Sequence, residues 1–356
     1  MIRALHVHSE FHPQASGVAR HIDGLARALS SRCGVAVEIL APRASLIPDR
    51  PPYRVTIGGI RELAGAIRRS DVVHAHGSRK AITILALHLA AALGKPSVFT
   101  PHCYYDGGGL AVRLAKRLWD GTLERWAVWR TGAVILLHAG WRADIMIGRG
   151  IRPRYSLVVP NCIDADALDV RLSSIVPVPL EGQPALLSVG RLDPIKRLDD
   201  VIAALGQPEL ATAVLHVVGA GPDAERLRRL AAMPAVAGRV RFYGWQDDGA
   251  VAAMMRGCGA MVLASEREGL PTVLLEALLA GIAMVHSDIQ GCMAIASEVG
   301  WDGAFPQGDV PALARRLDEL SGTTVPPSVS DKVRERFTWQ GRAAEICALY
   351  ECLIGG

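Results

Sequence analysis

Ser265-Glu-Arg-Glu-Gly-Leu-Pro-Thr-Val-Leu-Leu-Glu-Ala-Leu-Leu-Ala-Gly281 follows a short apolar run, Ala260 to Leu263, and opens a helical pattern with Pro271 near its first position. A strand running directly into a helix start is the unit from which parallel α/β sheets are built. Two carboxylates frame that start. Glu268 lies in the loop and Glu276 about one and a half turns into the helix, so both can face a ligand seated over the helix N-terminus. A carboxylate accepts two hydrogen bonds from a ribose or hexose diol, and the free N–H groups and dipole of the helix start favour a phosphate between them, although Pro271 contributes no N–H. Gly269, Leu270, Pro271 and Thr272 are the backbone stretch such a ligand would meet. An ordinary helix start carrying an exposed charge is the plainer reading of the same residues.

Outward from this segment, short β-rich runs alternate with helical periods in two series, which implies two doubly wound α/β domains. In the first series, strands are expected at Arg3 to His8, Val35 to Leu40, Asp71 to His74, Ser97 to Phe99, Ala133 to Leu137 and Ser156 to Val159. Helices fill the gaps, notably Val18 to Ser30, Arg79 to Leu93 and Leu110 to Arg130. In the second, strands are expected at Ala185 to Val189, Leu215 to Val218, Val240 to Tyr243, Ala260 to Leu263, Ala283 to His286 and near Ala304, with a closing helix at Trp339 to Leu353. The resulting division is an N-terminal Rossmann-like domain over 1–170, a Pro-rich linker over 171–184, a C-terminal Rossmann-like domain over 185–336, and a last helix over 337–356. Two such domains facing each other would bring the carboxyl ends of both sheets to one cleft, where open α/β sheets bind ligands.

A second constellation is Ser188-Val-Gly-Arg-Leu-Asp-Pro-Ile-Lys-Arg-Leu-Asp200, where a strand end and Gly190 lead to Arg191 and Lys196 around a Pro-started helix. Two cations at that place suit a diphosphate, Arg as a planar fork and Lys as a mobile point charge, against a solvated helix-start cation as the alternative. With only five lysines beside 34 arginines in the chain, Lys196 stands out. Ser16 and Gly17 lie in the first strand-to-helix loop, where a glycine lets backbone amides approach a phosphate or sugar, although an ordinary βα turn explains them equally. The loop is not G-x-G-x-x-G, which argues against a nicotinamide enzyme. His102 ends a strand, aimed toward the cleft; it could bond a sugar hydroxyl, assist proton movement, or merely satisfy loop backbone.

The chain has 356 residues, half of them hydrophobic and 21% charged, with a net charge of +4 and no block of like charge. That composition supports buried cores and excludes a nucleic-acid protein and extensive disorder. Seven cysteines without a CxxC pair read as reduced and cytosolic. Neither a signal peptide nor a membrane-spanning run is expected; the most apolar stretch, Ala81 to Leu93, is interrupted by His88.

Taken together, these segments resemble the retaining glycosyltransferases of family 4, which have the GT-B fold. Glu268-x7-Glu276 is joined in order by Gly190-Arg-Leu-x-x-x-Lys196, Val218-Gly-Ala-Gly-Pro222, Val159-Pro-Asn-Cys-Ile-Asp164, Asp71-Val-Val-His-Ala-His76, the Ser16-Gly17 loop and a closing Phe337-Thr-Trp339 element, whose helix over 337–356 the resemblance implies crosses back to pack on the first domain. The resemblance implies a nucleotide diphosphate sugar, a UDP-sugar rather than a GDP-sugar, with Glu276 on the ribose, Glu268 on the sugar hydroxyls, and Arg191 and Lys196 on the diphosphate in place of a metal. It implies a hexosyl transfer that retains anomeric configuration, onto a glycan or lipid-linked acceptor, in bacterial surface polysaccharide or glycolipid assembly. Neither a cofactor nor a metal is expected. Cys162, His138 and Ala294 depart from the family's usual residues, and Ala294 bears on a donor contact.

Other readings of the same residues are a nucleotide-sugar epimerase or hydrolase of this fold, a non-catalytic sugar-nucleotide binder, and a metal hydrolase built on His6-x-His8, His12 and His74-x-His76. The last lacks residues in the second half to complete a ligand set. Between Leu110 and Arg130, Arg113, Lys116, Arg117, Arg125 and Arg130 mix with Trp119, Trp126 and Trp129. Such a helix suits an anionic bilayer, which would place the protein in the cytoplasm or peripherally at the inner face of the membrane. Recurrence of apolar residues at core spacing instead favours a packing helix with buried tryptophans.

Overall fold

The computed structural model describes every residue except 13–15, 46, 48–49, 105, 143–149, 151–152 and 356. Residues 13–15 of the first strand-to-helix loop and Tyr105 of the loop after His102 thus lie outside the described residues. The chain forms two units. One runs from Met1 to Cys162 and resumes at Trp339; the other spans Ile163–Thr338.

The first unit contains β1 (Arg3–Val7), α1 (Gly17–Arg32), β2 (Ala36–Ala41), β3 (Arg54–Ile57), α2 (Ile60–Arg69), β4 (Val72–His76), α3 (Ala81–Ala92), β5 (Ser97–Thr100), α4 (Leu110–Trp119), α5 (Arg125–Arg130), β6 (Ala133–Leu136) and β7 (Ser156–Val158). Its strands pair in parallel in the order β3-β2-β1-β4-β5-β6-β7. The second unit holds α6 (Ala165–Ser174), β8 (Ala185–Val189), α7 (Leu198–Ala204), β9 (Val214–Val218), α8 (Ala224–Ala231), β10 (Val240–Gly244), α9 (Asp248–Gly257), β11 (Ala260–Leu263), α10 (Thr272–Leu279), β12 (Met284–Ser287), α11 (Gln290–Val299), β13 (Ala304–Phe305), α12 (Val310–Leu320) and α13 (Pro327–Arg336). Its sheet, also parallel, has the order β10-β9-β8-β11-β12-β13. α14 (Trp339–Gly355) belongs to the first unit and buries Trp339, Ala343, Ile346, Leu349 and Tyr350 in the same core as α1 and the sheet. A fully buried side chain the size of Ile346 or Leu349 contributes about 1.5–3 kcal/mol through loss of hydrated apolar surface.

In both sheets the winding reverses between two neighbouring strands, β1 and β4 in the first and β8 and β11 in the second. Crevices outside the carboxyl ends of such strands are where open α/β sheets take ligands.

The structure differs from the sequence reading at several points. β3 escapes a sequence reading because it is an edge strand, preceded by Pro51-Pro52, with Arg54 and Thr56 facing partly outward. The segment read as one helix over Leu110 to Arg130 is interrupted at Asp120–Glu124 by a π-turn, in which the Arg125 N–H reaches back to the Asp120 carbonyl. Two of its three tryptophans are not buried: Trp126 and Trp129 are exposed, Trp119 is half-buried, and α4 buries none of its residues. The start of the segment over 171–184 is bonded to α9: Arg256 donates to the Leu172 and Ile175 carbonyls at 2.9 and 2.6 Å, and the Val178 N–H donates to the Ala253 carbonyl at 3.1 Å. With α6 held on α9 in this way, the second unit begins at Ile163 rather than beyond residue 170. No helix among the described residues is long and apolar enough to cross a membrane.

Candidate donor site and a buried histidine row

At the switch between β8 and β11, two loops meet. After β8, the Gly190 N–H donates to the Val218 carbonyl and the Leu192 N–H to the Ala220 carbonyl, both at 3.0 Å. These loops touch so closely that a Cβ on Gly219 would stand 1.8 Å from the Gly190 carbonyl oxygen, which is why Gly-Ala-Gly follows β9. Asp193 then caps a 3₁₀ turn over Pro194–Lys196, its Oδ1 accepting from the Ile195 N–H at 3.4 Å, and Arg197 in the left-handed region separates that turn from α7. The Pro-started helix expected here is therefore one short turn that presents Lys196.

After β11, the Glu266 N–H donates to the Ile195 carbonyl at 2.8 Å, and the Ser287 hydroxyl to the Ser265 carbonyl at 2.6 Å. Those two bonds tie the loops of β8, β11 and β12 together. Lys196 Nζ consequently donates to Glu268 Oε1 at 2.5 Å, and the Ser265 hydroxyl donates to the same oxygen at 2.6 Å. The Glu268 side chain is only 9% exposed and that of Lys196 29%. Behind the loop, the first turn of α11 comes so near that a Cβ on Gly291 would lie 2.6 and 2.8 Å from the Glu268 and Gly269 carbonyl oxygens. Only glycine lets α11 act as this backstop.

Gly269, Leu270 and Pro271 are buried, Thr272 is half-buried, and Pro271 is the N-cap of α10 with no side-chain acceptor of its own. α10 buries Leu274, Leu275, Ala277, Leu278 and Leu279, which leaves Glu276 on its half-buried face. The two expected diphosphate cations do not share a partner. Lys196 meets Glu268, whereas Arg191, with a 68% exposed side chain, leans on Asp193 at 3.6 Å.

In the first unit, Ser16 caps α1, its Oγ accepting from the Ala19 N–H at 3.5 Å, and Gly17 opens the helix with open space where its Cβ would be. His102 lies just beyond β5. It is buried, in the left-handed region with φ +62, and its Nε2 lies 3.2 Å from His76 Nδ1. His76 Nε2 in turn lies 3.0 Å from His6 Nδ1, His6 Nε2 lies 3.3 Å from the Tyr350 hydroxyl, and Tyr350 lies 2.6 Å from His74 Nδ1, whose Nε2 meets the Thr100 hydroxyl at 2.7 Å. His21 abuts His102 edge-on at 4.7 Å.

Burial, with the charge of His21 adding to it, brings His6 down to about 3, and burial brings His21 down to about 4 despite its bond to Asn161. Desolvation holds His74, His76 and His102 well below the usual imidazole range as well, so the row is uncharged at neutral pH. The sequence reading found the two H-x-H strands but missed His21 and Tyr350, which nothing local connects to them.

The chain matches the family model described as Glycosyltransferase Family 4 over residues 15–167 and that described as Glycosyl transferases group 1 over residues 174–341. It is 28% identical to a phosphatidyl-myo-inositol mannosyltransferase of Mycolicibacterium smegmatis over 95% of this chain and 91% of that one. It is 27% identical to a 2-deoxystreptamine N-acetyl-D-glucosaminyltransferase of Streptomyces fradiae, over 79% of this chain and 68% of the relative. Among solved structures, sucrose-phosphate synthase from Thermosynechococcus elongatus shares the fold with a TM-score of 0.78 at 17% identity, each chain covered in full. An Anabaena protein crystallised with UDP and glucose matches with a TM-score of 0.74 at 16% identity over 99% of this chain and all of that one.

Proposed function

The chain belongs to glycosyltransferase family 4, with the GT-B fold, and on that footing we propose that it is a retaining hexosyltransferase using a UDP-sugar. The observation that carries this reading is the Lys196–Glu268 pair at the switch point of the second sheet. A buried carboxylate and a mobile ammonium, already in contact, are a ready pair of receptors for a sugar diol and a phosphate. On donor entry Lys196 Nζ moves from Glu268 Oε1 to a β-phosphate oxygen, and Glu268 accepts sugar hydroxyls in its place. Glu276 takes the ribose diol, Arg191 swings from Asp193 to the diphosphate, and the α10 start faces the phosphates with Gly269 to Thr272. The anomeric carbon–oxygen bond to the diphosphate breaks and the bond to the acceptor oxygen forms on the same face. The acceptor proton passes to the departing phosphate oxygen. Two cations neutralise the leaving group without a metal.

A thermal-shift panel of UDP, GDP and ADP and their glucose conjugates tests the donor. UDP species are expected to stabilise the protein by about 2.7 kcal/mol at 100 times Kd, and Glu276→Ala to abolish the shift. Stabilisation by none of them would remove this reading. Product formed from the UDP-sugar without any acceptor would replace it by an epimerase or hydrolase, and binding without turnover by a sugar-nucleotide binder.

The acceptor is inferred to be glycan or lipid-linked, taken at an anionic membrane surface on the cytoplasmic side, in surface polysaccharide or glycolipid assembly. Supporting this, α4 and α5 expose Leu110, Leu118, Trp126 and Trp129 among Arg113, Lys116, Arg117, Arg125 and Arg130. Co-sedimentation with vesicles containing phosphatidylglycerol is expected at low salt, weakened at high salt and absent with pure phosphatidylcholine. No sedimentation at low salt would exclude the membrane.

A further inference from the structure

Among the described residues, two overlapping groups of buried histidines bring ring nitrogens within 4.8 Å of one another, His6 with His74 and His76, and His21 with His76 and His102. Both lie in the first unit, around the switch between β1 and β4, where His6 and His74 are register partners. They differ in what their nitrogens already do. Both nitrogens of His6 and both of His74 have hydrogen-bond partners within the row. His21 Nδ1, by contrast, is a buried polar atom with no hydrogen-bond partner. A buried polar atom left unsatisfied is destabilising, so the position asks for a ligand.

We propose that His21, His76 and His102 bind one divalent transition-metal ion of the zinc class, with a fourth position open to water or a ligand oxygen. His76 Nδ1 and His102 Nε2 stand 3.2 Å apart. Two imidazole nitrogens each about 2.1 Å from one ion and so separated subtend about 100°, close to a tetrahedral edge. A ring nitrogen of His21 lies within 4.8 Å of both, and turning that ring closes the triangle. Neutral imidazoles without a competing carboxylate are the donor set of zinc, cobalt and copper(II) rather than of magnesium or calcium.

The rest of the row fits as support for the ligands. With His76 Nδ1 bare toward the ion, its Nε2–H donates to His6 Nδ1, and His6 Nε2–H donates to the Tyr350 oxygen. Tyr350 donates to His74 Nδ1, and His74 Nε2–H donates to Thr100. Every nitrogen in that chain has one role and no two donors meet. Outer partners of this kind fix the tautomer and orientation of a ligating imidazole. α14, through Tyr350, would thereby set the affinity of a site on the two central strands.

The test is a titration of the full chain, stripped with a chelator, with Co²⁺ alone and then Zn²⁺. One Co²⁺ per chain, with tetrahedral visible absorption and displacement by one Zn²⁺, is expected. His21→Gln and His102→Gln should each weaken binding at least about 100-fold. Tyr350→Phe, which leaves all three ligands, should weaken it about 10–100-fold. His12→Gln, on the surface loop, should change nothing. Circular dichroism of each metal-free variant reports folding, and if the histidine variants do not fold, the Tyr350→Phe affinity and imidazole ¹⁵N shifts of the wild type at His76 Nδ1 and His102 Nε2 decide. Absence of a stoichiometric site in the folded wild type, equal affinity in the variants, or Zn²⁺-induced shifts only at other histidines would overturn the proposal.

Discussion

Lys196→Ala is expected to lower kcat by about 10²–10³-fold while leaving the fold intact, the loss typical of removing one preorganised donor from a developing anion. The geometry explains why the loss should fall on kcat. In the free protein Lys196 is held on Glu268 Oε1, which also accepts from Ser265, so removing the ammonium leaves the carboxylate with one of those two partners. The loop itself stays anchored through the Glu266 N–H on the Ile195 carbonyl and Ser287 on Ser265. Lys196→Arg should recover little, because a planar fork on a short 3₁₀ turn cannot occupy the position of a mobile point charge. Glu268→Gln should also lower activity. The double variant should fall short of the product of the two, since groups in direct contact couple by about 0.5–3 kcal/mol. Steady-state kinetics with saturating donor decides: a Lys196→Ala enzyme within tenfold of wild-type kcat, or strict additivity, would show that the pair does not act on the leaving group.

The parts of this site that sequence made legible are those built from one strand-to-helix unit. Ser265 to Gly281 carries Glu268, the α10 start and Glu276 on consecutive turns of chain, so spacing alone places them. That Lys196 would touch Glu268 follows only from topology, because β8 and β11 must be neighbours at the reversal of winding. The histidine row shows the opposite limit. Two of its strands advertise themselves as H-x-H, yet His21 comes from a helix and Tyr350 from the last helix of the chain, and their burial depends on α14 returning to the first sheet. The ring nitrogens that join these two strands come from α1 and from just beyond β5, in the first half of the chain. Residues 110–130 fail for a related reason. Their helical period is unbroken, and the π-turn lies where Arg79, far away in sequence, bonds Asp120 and Glu124.

Arg79→Ala is accordingly expected to destabilise the first unit by about 3–5 kcal/mol, the range for removing one partner of a buried ion pair. The guanidinium, 13% exposed, grips Asp120, 6% exposed, through Nε at 2.7 Å and Nη2 at 2.5 Å, and Nη2 also reaches Asp106 at 2.7 Å. Burial works against the charged guanidinium, but the bonds to Asp120 and Asp106 outweigh it and hold the group more firmly protonated than usual. Its backbone N–H, in the left-handed region at φ +54, donates to Glu124 at 2.9 Å, where the Tyr104 hydroxyl and the Trp119 indole also donate at 2.5 and 3.1 Å. Asp120 and Glu124 bound the π-turn, and both are buried. Without Arg79, Asp120 would be a buried charge stripped of its bidentate partner, so the segment would abandon the π-turn and loosen from α3. Arg79→Lys keeps the charge but not the fork and should recover less than half of the loss. Chemical denaturation monitored by tryptophan fluorescence measures this directly. A loss below about 1 kcal/mol for Arg79→Ala would mean that α4 and α5 are held by their apolar contacts and that the buried carboxylates merely tolerate the turn.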